Sequence, residues 1–138
     1  MKKYIRFIPI ALAVGLIMSL TLMNTPKNVE MSEQFRQFLM KLCEKAGLGT
    51  NAWWNSSTGI RKLGHVIEYG LLGVGSAIAI SRKRWSIVLC MVVSVFDQVI
   101  KIFVPIRHFD WTDIPFDIVG SLIGIGIVSL IERFFKRA

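Results

Sequence analysis

Residues 85–104 read WSIVLCMVVSVFDQVIKIFV, an apolar run whose only charges are Asp97 and Lys101. A helix of about 20 residues, rising ~1.5 Å per residue, covers the ~30 Å hydrocarbon core of a bilayer. Ser94, Asp97, Gln98 and Lys101 are spaced so that they share one helical face, and the other faces are hydrophobic. An ionisable residue within a membrane span is costly and ordinarily turns toward a bundle interior or a cavity. The run therefore predicts a transmembrane helix with a polar inner face.

Three further stretches are long enough to span: Ile5–Met23, Leu63–Ile80 and Ile114–Ile131. Arg61, His65, Glu68, Tyr69 and Ser76 form a second polar line, and Asp113, Asp117 and Ser121 a third. Lys2, Lys3 and Arg6 precede the first stretch in the manner of a signal peptide. Its core is long and Ser19-Leu20-Thr21 is a poor cleavage site, so it reads as a retained anchor. The expected fold is an all-α integral membrane protein: four transmembrane helices in a bundle, one domain over 1–138. The composition agrees, with 53% hydrophobic residues and a mean hydropathy of +0.53, too apolar for an ordinary soluble domain. No soluble domain, internal repeat or low-complexity tract interrupts the pattern.

The net charge of +8 resembles a nucleic-acid signal until it is divided between the two sides. With four spans, one side holds Lys2, Lys3, Arg6, Arg82, Lys83, Arg84, Arg133, Lys136 and Arg137 against Glu132 alone. The other side balances eight basic residues with eight acidic ones. The whole excess lies beside spans, which makes that side cytoplasmic and places both termini there. Such clusters meet anionic lipid rather than nucleic acid.

The long connection at 24–62 contains an amphipathic helix over 29–46. Phe35, Phe38, Leu39, Leu42, Cys43 and Ala46 share one face, and Gly47 and Gly49 close the helix. Thr25-Pro26 reads as a helix start, with Thr25 as N-cap. This extracytoplasmic helix suits the lipid interface or the mouth of the bundle. Trp53-Trp54 suits the membrane boundary, and Asn55–Gly59 reads as loop. Cys43 and Cys90 are placed apart and form no metal-binding or redox spacing, and Cys90 reads as a packing residue.

All three polar lines reach the same leaflet, which predicts an outer polar pocket. Its residues are Arg61, His65, Glu68, Tyr69, Asp97, Gln98, Lys101, Arg107, Asp110, Asp113 and Asp117, with Lys62 and His108 nearby. Buried charges must be paired and hydrogen-bonded, so the set is either a packing network or a site. Arg61 and Arg107 are suited to grip a phosphate or carboxylate. His65, Asp97 and Asp113 are the candidates for acid–base chemistry. Asp110, Asp113 and Asp117 have oxygen donors for a divalent cation, although salt bridges to Arg61 and Arg107 are the simpler reading. No cofactor or metal is expected. Gly120-x3-Gly124 permits close helix packing.

Arg61-Lys62-x2-His65-x3-Tyr69-x2-Leu72, Asp97-Gln98, and Phe103-x-Pro105-x-Arg107-x2-Asp110-x2-Asp113-x3-Asp117-x2-Gly120-x3-Gly124 together resemble the VanZ-like family. The resemblance covers about 61–130, and the run from Phe103 is its most specific part. The family usually has an acidic pair before the glutamine that matches Gln98, and it often has glycine at 106 and asparagine at 117. This chain has Ile106 and Asp117 there, and Lys101 besides. The resemblance implies a small multi-pass protein of the bacterial membrane, a place in cell-envelope biology, and an association with reduced sensitivity to teicoplanin-type glycopeptides. It supplies no reaction. The expected partner is membrane lipid or a lipid-linked envelope ligand. An accessory binding protein, an intramembrane transferase or hydrolase acting on a lipid-linked phosphate, and a structural membrane protein all fit, with the first preferred. A transporter would call for an inverted repeat or broken spans.

Overall fold

The computed structural model describes residues 2–23, 25–47, 56–104 and 109–137. All regular structure in them is helical: α1 Lys2–Ile5, α2 Ile8–Leu22, α3 Thr25–Lys45, α4 Ser57–Ala79, α5 Lys83–Phe103 and α6 Ile114–Arg137. The Trp53-Trp54 pair, Asn55, Gly49 and residues 105–108 lie outside the described residues.

Two of the four expected spans, α5 and α6, are by length and apolarity sufficient to cross a membrane. The first is shorter than expected. Pro9 sits in the opening turn of α2, where it lacks an amide to donate and cannot continue a helix begun earlier. The apolar stretch is thus divided between α1 and a 15-residue α2, about 22 Å long. The second is longer than expected and begins earlier. Ser56 caps α4 by accepting a hydrogen bond from the Gly59 amide at 3.0 Å, so Ser57–Gly59 are helical rather than loop. Arg61 and Lys62 consequently lie inside α4, one turn from its start. α3 also begins early, at Thr25 itself rather than after a Thr25 cap, and ends at Lys45. Gly47, with φ +69°, supplies the left-handed residue that closes it.

α4 is central and contacts α2, α3, α5 and α6, most extensively α6. The α4–α6 seam is made of small residues. A Cβ on Gly120 would strike the Val66 carbonyl, one on Gly124 the Gly70 carbonyl, and one on Gly73 the Ser121 carbonyl. The contacts advance in step along both helices, so α4 and α6 run parallel at backbone contact distance. α5 runs against them, since Cys90 is level with Ser76 and Ser94 with Asp117. α2 shares the direction of α5: Pro9 packs on Gly75 and Thr21 reaches Asp97. The 80–82 connection and the C-terminal turns of α6 therefore share one end of the bundle, and the 109–113 segment lies at the other.

The distribution of polarity is inverted relative to a soluble protein. The buried positions of α5 are Ser86, Cys90, Ser94, Asp97, Gln98 and Lys101. Its outer surface presents Val88, Val92, Val95, Phe96, Ile102 and Phe103, each at least 45% exposed. Water would not tolerate such a surface on a monomer, whereas lipid requires it. The apolar core is small: Ala13, Ile17, Tyr69, Leu72 and Cys90 in one cluster, and Ala77, Ile125 and Val128 in another. Both cysteines are free.

Candidate functional site: a carboxylate hub at one end of the bundle

The three polar lines converge at the end of the bundle that carries 109–113. α4 supplies Arg61, His65, Glu68 and Tyr69; α5 supplies Ser94, Asp97, Gln98 and Lys101; α6 and the turn before it supply Asp110, Asp113 and Asp117. Each side chain is placed by the periodicity that made its helix amphipathic.

Asp113 is the hub, with a side chain only 3% exposed. One carboxylate oxygen lies 3.3 Å from Arg61 Nη2, and the other lies 3.3 Å from His65 Nε2 and 3.6 Å from Lys101 Nζ. Lys101 also pairs with Asp97 at 2.9 Å, one helical turn away on α5. Asp97 accepts a hydrogen bond from the Thr21 hydroxyl of α2. On the far side of His65, Nδ1 faces Asp117 Oδ1 at 2.9 Å, close enough for ion pairing without the alignment of a directed hydrogen bond. Asp117 takes its aligned hydrogen bond from Ser94 Oγ at 2.6 Å. Each ring nitrogen of His65 thus faces a carboxylate. An imidazolium presents N–H to both, whereas a neutral ring would turn a lone pair toward one of them.

Toward the mouth the network opens. The Arg61 side chain, 48% exposed, bridges Asp113 to Asp110, whose side chain is 30% exposed. Asp110 also accepts from the Thr112 hydroxyl at 2.7 Å and the Thr112 amide at 2.9 Å. Those two bonds, with Arg61, hold its carboxyl below the usual range. Gln98 is fully buried and accepts from the Asp110 amide at 3.4 Å, tying α5 to the 109–113 segment. Phe109 and Trp111 meet edge to face on either side of Asp110, with ring centroids 4.6 Å apart. Lys62 lies 4.8 Å above the Phe116 ring.

Tyr69 is fully buried, with its ring 6.3 Å from His65 and its hydroxyl beside Ser94 without an aligned hydrogen bond. Glu68 is half-buried and close enough to feel the charges of His65, Asp97, Lys101 and Asp117. It makes no ion pair with a described residue. Arg107 and His108 lie outside the described residues.

The structure thus brings Arg61, His65, Tyr69, Asp97, Gln98, Lys101, Asp110, Asp113 and Asp117 into one connected group, with Glu68 at its edge. Sequence reasoning missed Thr21 and Thr112. Thr21 continues the Ala13, Ile17 spacing of the buried face of α2, and that spacing was the available signal. Asp110, Asp113 and Asp117, whose oxygens could suit a cation, are instead engaged by Arg61 and His65, with Lys101 also at Asp113. Among the described residues no three carboxylate, histidine or cysteine side chains surround a metal position. His65, Asp97 and Asp113 are adjacent, but each is engaged by oppositely charged groups. Among the described residues, the hydroxyls that reach the carboxylates of the buried network are those of Thr21 and Ser94, both donating to aspartates.

A family model described as VanZ/LLP1 matches residues 10–132, a wider stretch than the motif run beginning at Arg61. No curated protein and no solved structure matches the chain.

Proposed function

The chain belongs to the VanZ/LLP1 family, and on that footing we propose that it is a multi-pass membrane protein whose polar mouth holds the anionic head of a lipid-linked envelope molecule. The observation that supports this reading most is the collection of the buried charges at one end of a bundle whose exterior is hydrocarbon-like. One buried pair would fix helix register, yet this end gathers four aspartates, Arg61, His65 and Lys101. Arg61 is the accessible member. A phosphate can replace its carboxylate partners at the planar guanidinium, and the sequence offers a second arginine, Arg107, three residues before Asp110. The deeper network holds Arg61 in place.

In this reading α2, α4, α5 and α6 all cross the bilayer, both termini lie in the cytoplasm, and the mouth faces the outer leaflet. α3 leaves Phe38 and Leu42 more than half exposed, which suits a helix resting on the lipid interface. Sequestering an envelope lipid head accounts for reduced sensitivity to teicoplanin-type glycopeptides. Binding is favoured over catalysis because His65, Asp97 and Asp113 are each held in ion pairs, while Arg61 is the cation open to a ligand.

Arg61→Ala is expected to abolish a teicoplanin phenotype and retention of a lipid-phosphate ligand, while membrane levels of folded protein stay near wild type. If resistance falls only in proportion to folded protein, the cluster is a packing device and the binding proposal is wrong. Orientation is tested separately in a background lacking Cys43 and Cys90. Thr58→Cys should react with an impermeant maleimide in intact cells, and Arg82→Cys only after permeabilisation. The opposite pattern would move the mouth to the cytoplasm.

A further inference from the structure

The other end of the bundle carries a second, differently built feature. Lys83 donates from Nζ to the Ala77 carbonyl at 2.9 Å, near the end of α4, and pairs with Glu132 Oε1 of α6 at 2.8 Å. This bridge ties the start of α5 to the last turns of α6. It also occupies Glu132, the one acidic residue at this end. Arg82 and Arg84 flank Lys83, Arg133 and Lys136 lie beside or just beyond Glu132, and all four are exposed. Trp85 is 54% exposed, and Phe134 and Phe135 are 76% and 81% exposed. Aromatic rings at this level belong to the boundary between acyl chains and headgroups.

We propose that this basic and aromatic collar is a binding site for the headgroups of anionic phospholipids in the adjoining leaflet. The Lys83–Glu132 bridge brings two pairs of cations together across two helices and engages Glu132, the acidic neighbour of Arg133 and Lys136, with Lys83. Trp85 and Phe134 set the depth at which a lipid phosphate meets the guanidinium groups. The occupant is a bilayer lipid because the cations stand directly above surfaces that only acyl chains can cover. The site depends on bilayer embedding and not on the proposed role of the mouth, so its failure would leave that role standing.

The test uses the full chain with W53F, W54F and W111F, so that Trp85 is the sole tryptophan. The protein is reconstituted in phosphatidylcholine containing equal fractions of either dibromo-phosphatidylglycerol or dibromo-phosphatidylcholine. A basic residue near an anionic surface is worth about a fivefold preference. Two cooperating residues should therefore make the apparent preference for phosphatidylglycerol about 25-fold at low salt. R84Q/R133Q, which leaves Arg82 and Lys136, should lower that preference several-fold, and raised ionic strength should lower it in the unsubstituted collar. Equal quenching of Trp85 by the two brominated lipids, or no quenching by either, overturns the proposal. The comparison within the unsubstituted collar decides the matter even if R84Q/R133Q fails to fold.

Discussion

Asp113→Asn is expected to destabilise the folded bundle by ~3–5 kcal/mol, the range found when one partner of a buried ion pair is removed. Among the described residues, Asp113 is the one side chain shared by Arg61, His65 and Lys101. Asparagine keeps the shape but offers those three cations only a dipole. Lys101 still has Asp97, His65 still has Asp117, and Arg61 still has Asp110, so the structure loosens at the mouth first. The measurement is thermal unfolding in detergent, with proteolysis of the 109–113 segment as a local readout. Asp110→Asn lies on the rim and should move the melting temperature much less. Equal shifts for the two variants would show that Asp113 is not the hub of the network.

Gly124→Leu is expected to have an effect of comparable size through a different cause. Even a Cβ at position 124 would collide with the Gly70 carbonyl and crowd the Val74 amide at 2.9 Å. Overpacking by small increments costs ~1–3 kcal/mol, and here the obstacle is backbone that cannot rotate aside. The two helices would have to separate, and His65 would be drawn away from Asp113 and Asp117. Gly124→Ala should show a smaller loss in the same direction. Gly126 has no heavy atom within 4 Å of a Cβ position, so Gly126→Ala serves as the neutral control. The readout is the fraction of monodisperse protein after heating. Equal tolerance at 124 and 126 would rule out the close seam.

These two residues also show how far the sequence could be read. The spacing of Asp97 to Lys101 and of Asp113 to Asp117 put each pair on one helical face, and the faces met as expected because helical periodicity is rigid. The Gly120-x3-Gly124 spacing pointed to close packing, but its partners at Val66 and Gly70 depend on a tertiary pairing that no local pattern encodes. The division of the first apolar stretch turned on Pro9, a local signal that hydropathy averaging hides. The early start of α4 turned on the single Ser56 cap. The spacing of Thr21 after Ala13 and Ile17 marked it as buried, but not its partner, because one hydroxyl in an apolar helix is usually satisfied by its own backbone. Here it is instead spent on a carboxylate of another helix.

The pairing of Lys101 with Asp97 has a consequence for how the protein is made. The two lie four residues apart on α5 and meet at 2.9 Å without help from any other helix. α5 precedes α6 along the chain, so α5 enters lipid before Asp113 can dock against it. A lone aspartate at the centre of a span costs about 2.5–3.5 kcal/mol on insertion, and Asp97 lies between the centre and the end of α5. Joined within one helix turn, the pair enters lipid as a neutral unit and waits there. When α6 arrives, Asp113 docks against a lysine that already has a partner, and the charge network is complete.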